Sequence, residues 1–178
     1  MIVPISTRPK TQNNYAKGVF VALLASATAL TVFYFTAQKY RGVIGFVALC
    51  LITAVVFIYT KYISQSYIYD ITEDSDGSPI FVVRAVTGKR ESTMCRIDLS
   101  SIISVEKETA EQKRAHKTEY GFRKYVYTPT MLPPIVYRIT VKSRYERAEI
   151  IIECTDEFCE YLLSASQEAR ELYSEDEE

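Results

Sequence analysis

The chain has 178 residues, of which 48% are hydrophobic, and its formal net charge at pH 7 is −1. This length allows one membrane-embedded region and one globular domain with its own core, and it excludes a second soluble domain of ordinary size. The charge is segregated, because residues 1–60 carry five bases and no acid, whereas residues 153–178 carry ten acids and one base.

Two uncharged apolar runs lie near the N-terminus. The first begins at Gly18 and ends at Ala37, and the second begins at Gly42 and ends at Thr60. Each is long enough to cross a hydrocarbon core about 30 Å thick as an α-helix. Because only a short polar turn separates them, we predict an antiparallel transmembrane hairpin over residues 18–60. The first run is too long for the apolar region of a cleaved signal peptide.

The basic residues that flank the runs predict which side of the membrane the termini face. Four lie on the side of the termini and two lie in the turn, namely Arg8, Lys10, Lys17 and Lys61 against Lys39 and Arg41. Cytoplasmic loops are enriched in Lys and Arg, so we predict a plasma or inner membrane protein with two spans and both termini cytoplasmic. Neither run contains an ionisable Asp, Glu, Lys, Arg or His, and transport by this chain alone is not expected.

Small residues recur at helical spacing in both runs. They are Ala22, Ser26 and Ala29 in the first run, and Gly45, Ala48, Cys50 and Ala54 in the second. Close helix packing in lipid uses such residues. We predict that they pack the two spans against each other, and a homo-oligomer that packs through them is the alternative.

After an N-terminal segment (1–17), the hairpin and a short linker (61–65), apolar and polar residues alternate between recurring turn signals, which is typical of an all-β domain. Seven strands are predicted, over residues 66–72, 80–87, 91–97, 101–107, 122–128, 135–142 and 147–154. Thr155 is then a suitable N-cap for an amphipathic helix with Asp156 and Glu157 in its first turn. The domain is predicted to cover residues 66–173, followed by an acidic tail over residues 174–178.

Seven strands followed by one amphipathic helix resemble the pleckstrin-homology-like (PH-like) fold, a bent seven-stranded partial barrel capped by a C-terminal α-helix. With the preceding hairpin, the chain resembles the bacterial two-span membrane proteins with a C-terminal PH-like domain, the YcxB-like group. The resemblance rests on the order of elements and on segments such as 135–154 followed by 155–163. It implies a membrane helical hairpin plus a mainly-β PH-like domain that works close to the membrane inside the cell, and it brings no catalytic or ligand signature.

A basic segment interleaved with aromatic residues is the main candidate for a contact surface. Its basic residues are Lys113, Arg114, His116, Lys117, Arg123 and Lys124, and the aromatic residues are Tyr120, Phe122, Tyr125 and Tyr127. Basic groups near an anionic leaflet gain about 1 kcal/mol each. Contact of this segment with anionic lipid headgroups or a membrane protein partner, and a solvated loop that leads into an ordinary strand, both remain open.

The loop between the first two predicted strands argues against phosphoinositide recognition. PH-like domains that bind phosphoinositides usually gather basic residues there, whereas this loop contains Glu73, Asp74 and Asp76 and no base. Asp74, Asp76 and Gly77 do not continue into an EF-hand calcium loop. Tyr120-Gly121-Phe122 lacks the basic-Gly opening of an RNA-recognition strand. We therefore expect no metal and no nucleic-acid partner.

No catalytic arrangement is recognisable. His116 is the only histidine, and we expect it to face solvent. No Ser or Cys has a base and an orienting carboxylate placed beside it in the sequence. Cys154 and Cys159 flank the predicted junction of strand and helix, where a disulfide is conceivable, but small apolar packing of free thiols is the expectation for a cytoplasmic domain. No cofactor is expected.

The sequence therefore favours a membrane-anchored, non-enzymatic interaction module. An accessory or regulatory subunit of a larger membrane transporter or envelope complex is the first alternative, with the hairpin docked into that complex. A hydrolase without a recognisable signature is the second alternative, and no residue pattern supports it.

Overall fold

The computed structural model of the protein describes residues 4–9, 14–36, 39–109, 111–112, 116, 121–143 and 147–175. Within these residues, two apolar helices near the N-terminus precede a mostly-β domain that contains two sheets and ends in a helix. The predicted order of helical hairpin, β domain and final helix is therefore confirmed.

The helical hairpin consists of α1 (Asn14–Thr36) and α2 (Arg41–Ile58), and a π-helical turn (Tyr59–Ile63) extends α2. Both helices are long and apolar enough to cross a membrane. The first helix already begins ahead of Gly18, while Ala37 lies outside the described residues.

Hydroxyl side chains in the spans find acceptors within their own helix. Ser26 donates to the carbonyl oxygen of Ala22 at 2.9 Å, and Thr53 donates to that of Leu49 at 2.9 Å. Since a bond of this kind leaves no unpaired hydroxyl donor, these side chains are compatible with an apolar environment.

The contact between α1 and α2 uses Gly45 and Ala48 of the predicted small residues, together with Ala27, which was not predicted. Ala27 and Ala48 are buried, and a Cβ added to Gly45 would lie 3.1 Å from the ring of Tyr34. Small side chains at these positions let the helices approach closely. The prediction for the first span is wrong in detail, because Ala22, Ser26 and Ala29 are exposed.

The β domain is joined to both ends of the helical hairpin. After α2, only Ser64 separates the π-helical turn from β2 (Gln65–Glu73), so helix occupies most of the segment predicted as a linker. Before α1, β1 (Ile5–Thr7) pairs antiparallel with β2 and adds a strand that the sequence did not predict.

The first sheet has the strand order β1-β2-β3-β4, and all neighbours in it are antiparallel. β3 is Pro79–Thr87 and β4 is Arg90–Asp98. Gly77 (φ 84°) and Gly88 (φ 62°) lie in the turns before and after β3, where a left-handed backbone favours glycine.

The second sheet has the order β5-β7-β8-β6. Its strands are β5 (Ile102–Thr109), β6 (Arg123–Tyr127), β7 (Ile135–Lys142) and β8 (Arg147–Ile152). β5, β7 and β8 pair antiparallel, whereas β6 pairs parallel with β8. β5 and β6 therefore lie at opposite edges of this sheet.

One hydrophobic core lies between the two sheets and α3 (Asp156–Glu175). Alternation along the strands supplies Tyr69, Phe81 and Val83 from the first sheet and Ile139, Ile150 and Ile152 from the second. The helix adds Phe158, Leu162, Ala165 and Ala169 at spacings of three and four residues. The backbone N–H of Phe158 donates to Oγ1 of Thr155 at 3.4 Å, which is the bond of an N-cap.

Cys154 and Cys159 form a disulfide across the junction between β8 and α3. The expectation that both residues pack as unlinked small side chains is therefore wrong. Cys159 is buried in the core and Cys154 is partly buried beside it, so the bond fixes the first turn of α3 to the end of β8. Cys50 and Cys95 are free thiols.

Candidate functional site

Of the predicted basic contact segment, the structure describes His116 and the C-terminal end. Lys113, Arg114 and Lys117 lie outside the described residues. Arg123 and Lys124 begin β6, and both are exposed. Because successive strand residues point to opposite faces of a sheet, these two bases do not form one surface.

His116, also in this segment, was expected to face solvent, but it is only partly exposed. Its Nε2 atom lies 3.2 Å from Oε1 of Glu149, its Nδ1 atom lies 3.9 Å from Oε1 of Glu108, and 33% of its side chain is exposed. The expectation was wrong because His116 lies beside Glu108 and Glu149 on the outer face of the second sheet.

The histidine adjoins a buried ion cluster formed by Glu108 on β5, Arg138 on β7 and Glu149 on β8. Arg138 donates to Glu108 through Nε at 2.7 Å and through Nη2 at 2.8 Å, and its Nη1 donates to Glu149. Only 2% of the Arg138 side chain is exposed. The cluster joins three neighbouring strands on the face opposite the hydrophobic core.

Two opposing effects act on the pKa of Arg138. Burial favours the uncharged guanidine, but the hydrogen bonds and negative charges of Glu108 and Glu149 outweigh it and raise the pKa. The guanidinium therefore stays charged. It pairs with two buried carboxylates that would repel each other without it. This arrangement is typical of a structural ion cluster.

The first sheet has a second arginine between two carboxylates. Arg84 on β3 lies with Nε 2.6 Å from Oδ2 of Asp70 on β2, and with Nη1 2.9 Å from Oε2 of Glu91 on β4. The hydrogen bond to Asp70 is the main reason that the pKa of Arg84 is raised. Here 37% of the arginine side chain is exposed, so solvent screens these pairs.

The strand register of the first sheet shows which of its ends lies beside the helical hairpin. β2 starts at Gln65, directly after the helical segment, and Gln65 is opposite Thr87, which is opposite Arg90. The turn between β3 and β4 (Gly88 and Lys89) is therefore at the hairpin end. Lys89 and Arg90 are exposed, and neither forms an ion pair with another described residue.

The acidic loop between β2 and β3 lies at the opposite end of the sheet, where one backbone carbonyl and one carboxylate accept hydrogen bonds within a turn. The N–H of Gly77 donates to the carbonyl oxygen of Asp74 at 3.0 Å, and the N–H of Ser78 donates to Oδ1 of Asp76 at 3.1 Å. Hydrogen bonds from the Ser78 side chain and backbone lower the pKa of Asp76. The carboxylate of Asp74 also pairs with Arg96 on β4.

A cleft of about 420 Å³ opens between β4 and β6, each of which is an edge strand of its sheet among the described residues. The Tyr127 hydroxyl donates across it to the carbonyl oxygen of Met94 at 3.5 Å, and the rings of Tyr125 and Tyr127 stack with centroids 6.3 Å apart. The cleft exists because the two sheets do not pair along this side. It has the size of a small-ligand site, and polar and apolar groups line it without a catalytic arrangement among the described residues.

The described part of the chain has no group of three or more His, Cys, Asp or Glu side chains that could hold a metal ion. Comparison of the chain with protein-family models, with curated proteins and with solved structures finds no match.

Proposed function

We propose that this chain is a non-enzymatic interaction module with a PH-like fold, held at the cytoplasmic face of a plasma or inner membrane by its helical hairpin. Its partners are anionic lipid headgroups or another membrane protein. The observation that carries the proposal is the pairing of β1, which precedes α1, with β2, which follows α2. This pairing supports a topology in which both ends of the hairpin meet on one side of the bilayer.

The PH-like part of the proposal is supported by the strands and the helix that follows them. Seven strands, β2 to β8, form two sheets around one core, and the apolar face of α3 covers that core. The parallel pairing of β6 with β8 departs from a simple antiparallel order. An experimental structure in which β4 and β5 fail to bend into one barrel would contradict a PH-like fold.

The cytoplasmic side is supported by the four bases near the termini, whereas the Cys154–Cys159 disulfide favours an oxidising compartment. A membrane-impermeant maleimide decides between them when it is added to intact cells that express Ser75→Cys, a change in the exposed acidic loop. We expect labelling above the background of the parent chain only after the membrane is permeabilised. Labelling in intact cells would place the domain outside.

Lipid contact by the basic segment is tested with Lys113, Arg114 and Lys117 all changed to Glu in the full chain. If the segment contacts headgroups, native mass spectrometry from mild detergent will show fewer bound anionic lipids, since each base gains about 1 kcal/mol near an anionic surface. Unchanged lipid binding would remove this segment from the proposal. Recovery of a stoichiometric membrane protein would instead favour the accessory subunit.

A further inference from the structure

We propose that the turn between β3 and β4, with Lys89 in the turn and Arg90 at the start of β4, binds the anionic headgroups of the leaflet in which the chain's own helical hairpin is anchored. This inference rests on the proposed membrane anchoring and names a contact surface outside the predicted basic segment.

The position of the turn follows from chain connectivity and register. The last helical residue after α2 is Ile63, and β2 begins at Gln65, so the start of β2 lies at the surface of the bilayer that α2 crosses. Gln65, Thr87 and Arg90 are consecutive partners across three strands. Neighbouring strands lie only about 4.8 Å apart, which places Lys89 and Arg90 beside the same surface.

The charges at this end of the sheet are those that an anionic leaflet attracts. Lys89 and Arg90 are exposed and have no acidic partner among the described residues, while the nearest acid, Glu91, already pairs with Arg84. Lys61, which precedes β2, adds positive charge to the same end.

The opposite end of the sheet carries acidic charge. β2 is nine residues long, which corresponds to roughly 26 Å between its ends at about 3.3 Å per residue. This separation exceeds two Debye lengths at physiological ionic strength. The acidic loop with Glu73, Asp74 and Asp76 therefore does not oppose contact at the basic end, and the lack of bases in that loop does not exclude lipid binding elsewhere.

Energy transfer from a single tryptophan to dansyl-labelled headgroups tests the proposal in the full chain, which contains no natural Trp. Thr87→Trp places the donor beside the turn, and Ser75→Trp places a matched donor in the acidic loop. Each protein is reconstituted into nanodiscs of phosphatidylcholine alone or with about a third phosphatidylglycerol. Lys89→Glu with Arg90→Glu is the test variant, and Lys142→Glu, an exposed base on the second sheet, is its control.

We expect transfer from Trp at position 87 to be higher in anionic than in neutral discs, since each base favours the contact roughly fivefold. The difference should vanish in the double charge reversal or at 1 M salt, and it should persist in Lys142→Glu. Transfer from position 87 that is independent of lipid charge would overturn the inference while leaving the anchoring intact. Failure of the full chain to enter nanodiscs would overturn the anchoring itself. Far-UV circular dichroism of each variant confirms that the domain has folded.

Discussion

Two arginines in this domain have the same kind of partners and very different surroundings. Arg84 lies between Asp70 and Glu91 on the first sheet with 37% of its side chain exposed, and Arg138 lies between Glu108 and Glu149 on the second sheet with 2% exposed. In each cluster the three residues come from three neighbouring strands.

The difference in burial decides what each cluster contributes to stability. Solvent screens the pairs around Arg84, and exposed ion pairs are usually worth no more than about 1 kcal/mol. Around Arg138, three charged groups have lost most of their water, and each depends on the others to offset that desolvation. The number of ion pairs is therefore a poor measure of stability unless their burial is known.

Removal of each arginine gives the largest expected contrast. Arg138→Met keeps the apolar stem but leaves Glu108 and Glu149 buried without the guanidinium, and we expect it to lower the free energy of unfolding by about 3–5 kcal/mol. Arg84→Met should lower it by no more than about 1 kcal/mol. Chemical unfolding of the full chain in one mild detergent, followed by circular dichroism, measures both. Equal losses would show that burial does not separate the two clusters.

Replacement of the whole buried cluster sharpens the comparison. The triple variant Glu108→Leu, Arg138→Met and Glu149→Leu removes every buried charge of the cluster, and we expect an unfolding free energy within about 1 kcal/mol of the parent or above it. His116 loses its partners in this variant but remains partly solvated. A triple variant as unstable as Arg138→Met alone would mean that the cluster itself stabilises the fold.

The buried cluster also shows where sequence reasoning reaches its limit. Alternation along β7 predicts that Arg138 and Ile139 point to opposite faces of the sheet, with Ile139 facing the core. The burial of Ile139 in the core agrees. It does not predict that Arg138 is buried there, because its partners Glu108 and Glu149 come from the neighbouring strands β5 and β8. Glu108 and Glu149 are 30 and 11 residues from Arg138, so no local pattern joins the three.

In the rest of the molecule too, features set by a local run of sequence could be predicted, whereas features set by distant neighbours could not. The helical hairpin could be predicted because a charge-free apolar run of sufficient length is a property of the run itself. β1 could not be predicted, since a three-residue strand is stable only through its pairing with β2. The stripe of Ala22, Ser26 and Ala29 was misassigned because small residues permit close packing without indicating which neighbour is present.

A third ion pair, in which both side chains are well exposed to solvent, extends the comparison. Lys107 on β5 lies 2.7 Å from Asp156 at the start of α3, with 48% and 63% of the two side chains exposed. Hydrogen bonds from Lys107 and then from Tyr137 lower the pKa of Asp156 below its usual value of 3.8. Because the folded state holds this proton more weakly than the unfolded state, the pair stabilises the fold above pH 3.8, and its contribution is lost as the pH falls through the lowered pKa.

Asp156→Asn removes this titration, so we expect stability to fall less steeply between pH 5 and pH 2 than in the parent. The effect of Asp156→Asn on stability should be smaller than that of either arginine substitution, because solvent screens the pair. Unfolding midpoints across this pH range measure it, and Glu157→Gln is the matched control in the same exposed helical turn. If Glu157→Gln flattens the acid limb equally, the helix dipole rather than the bond to Lys107 sets the pH dependence.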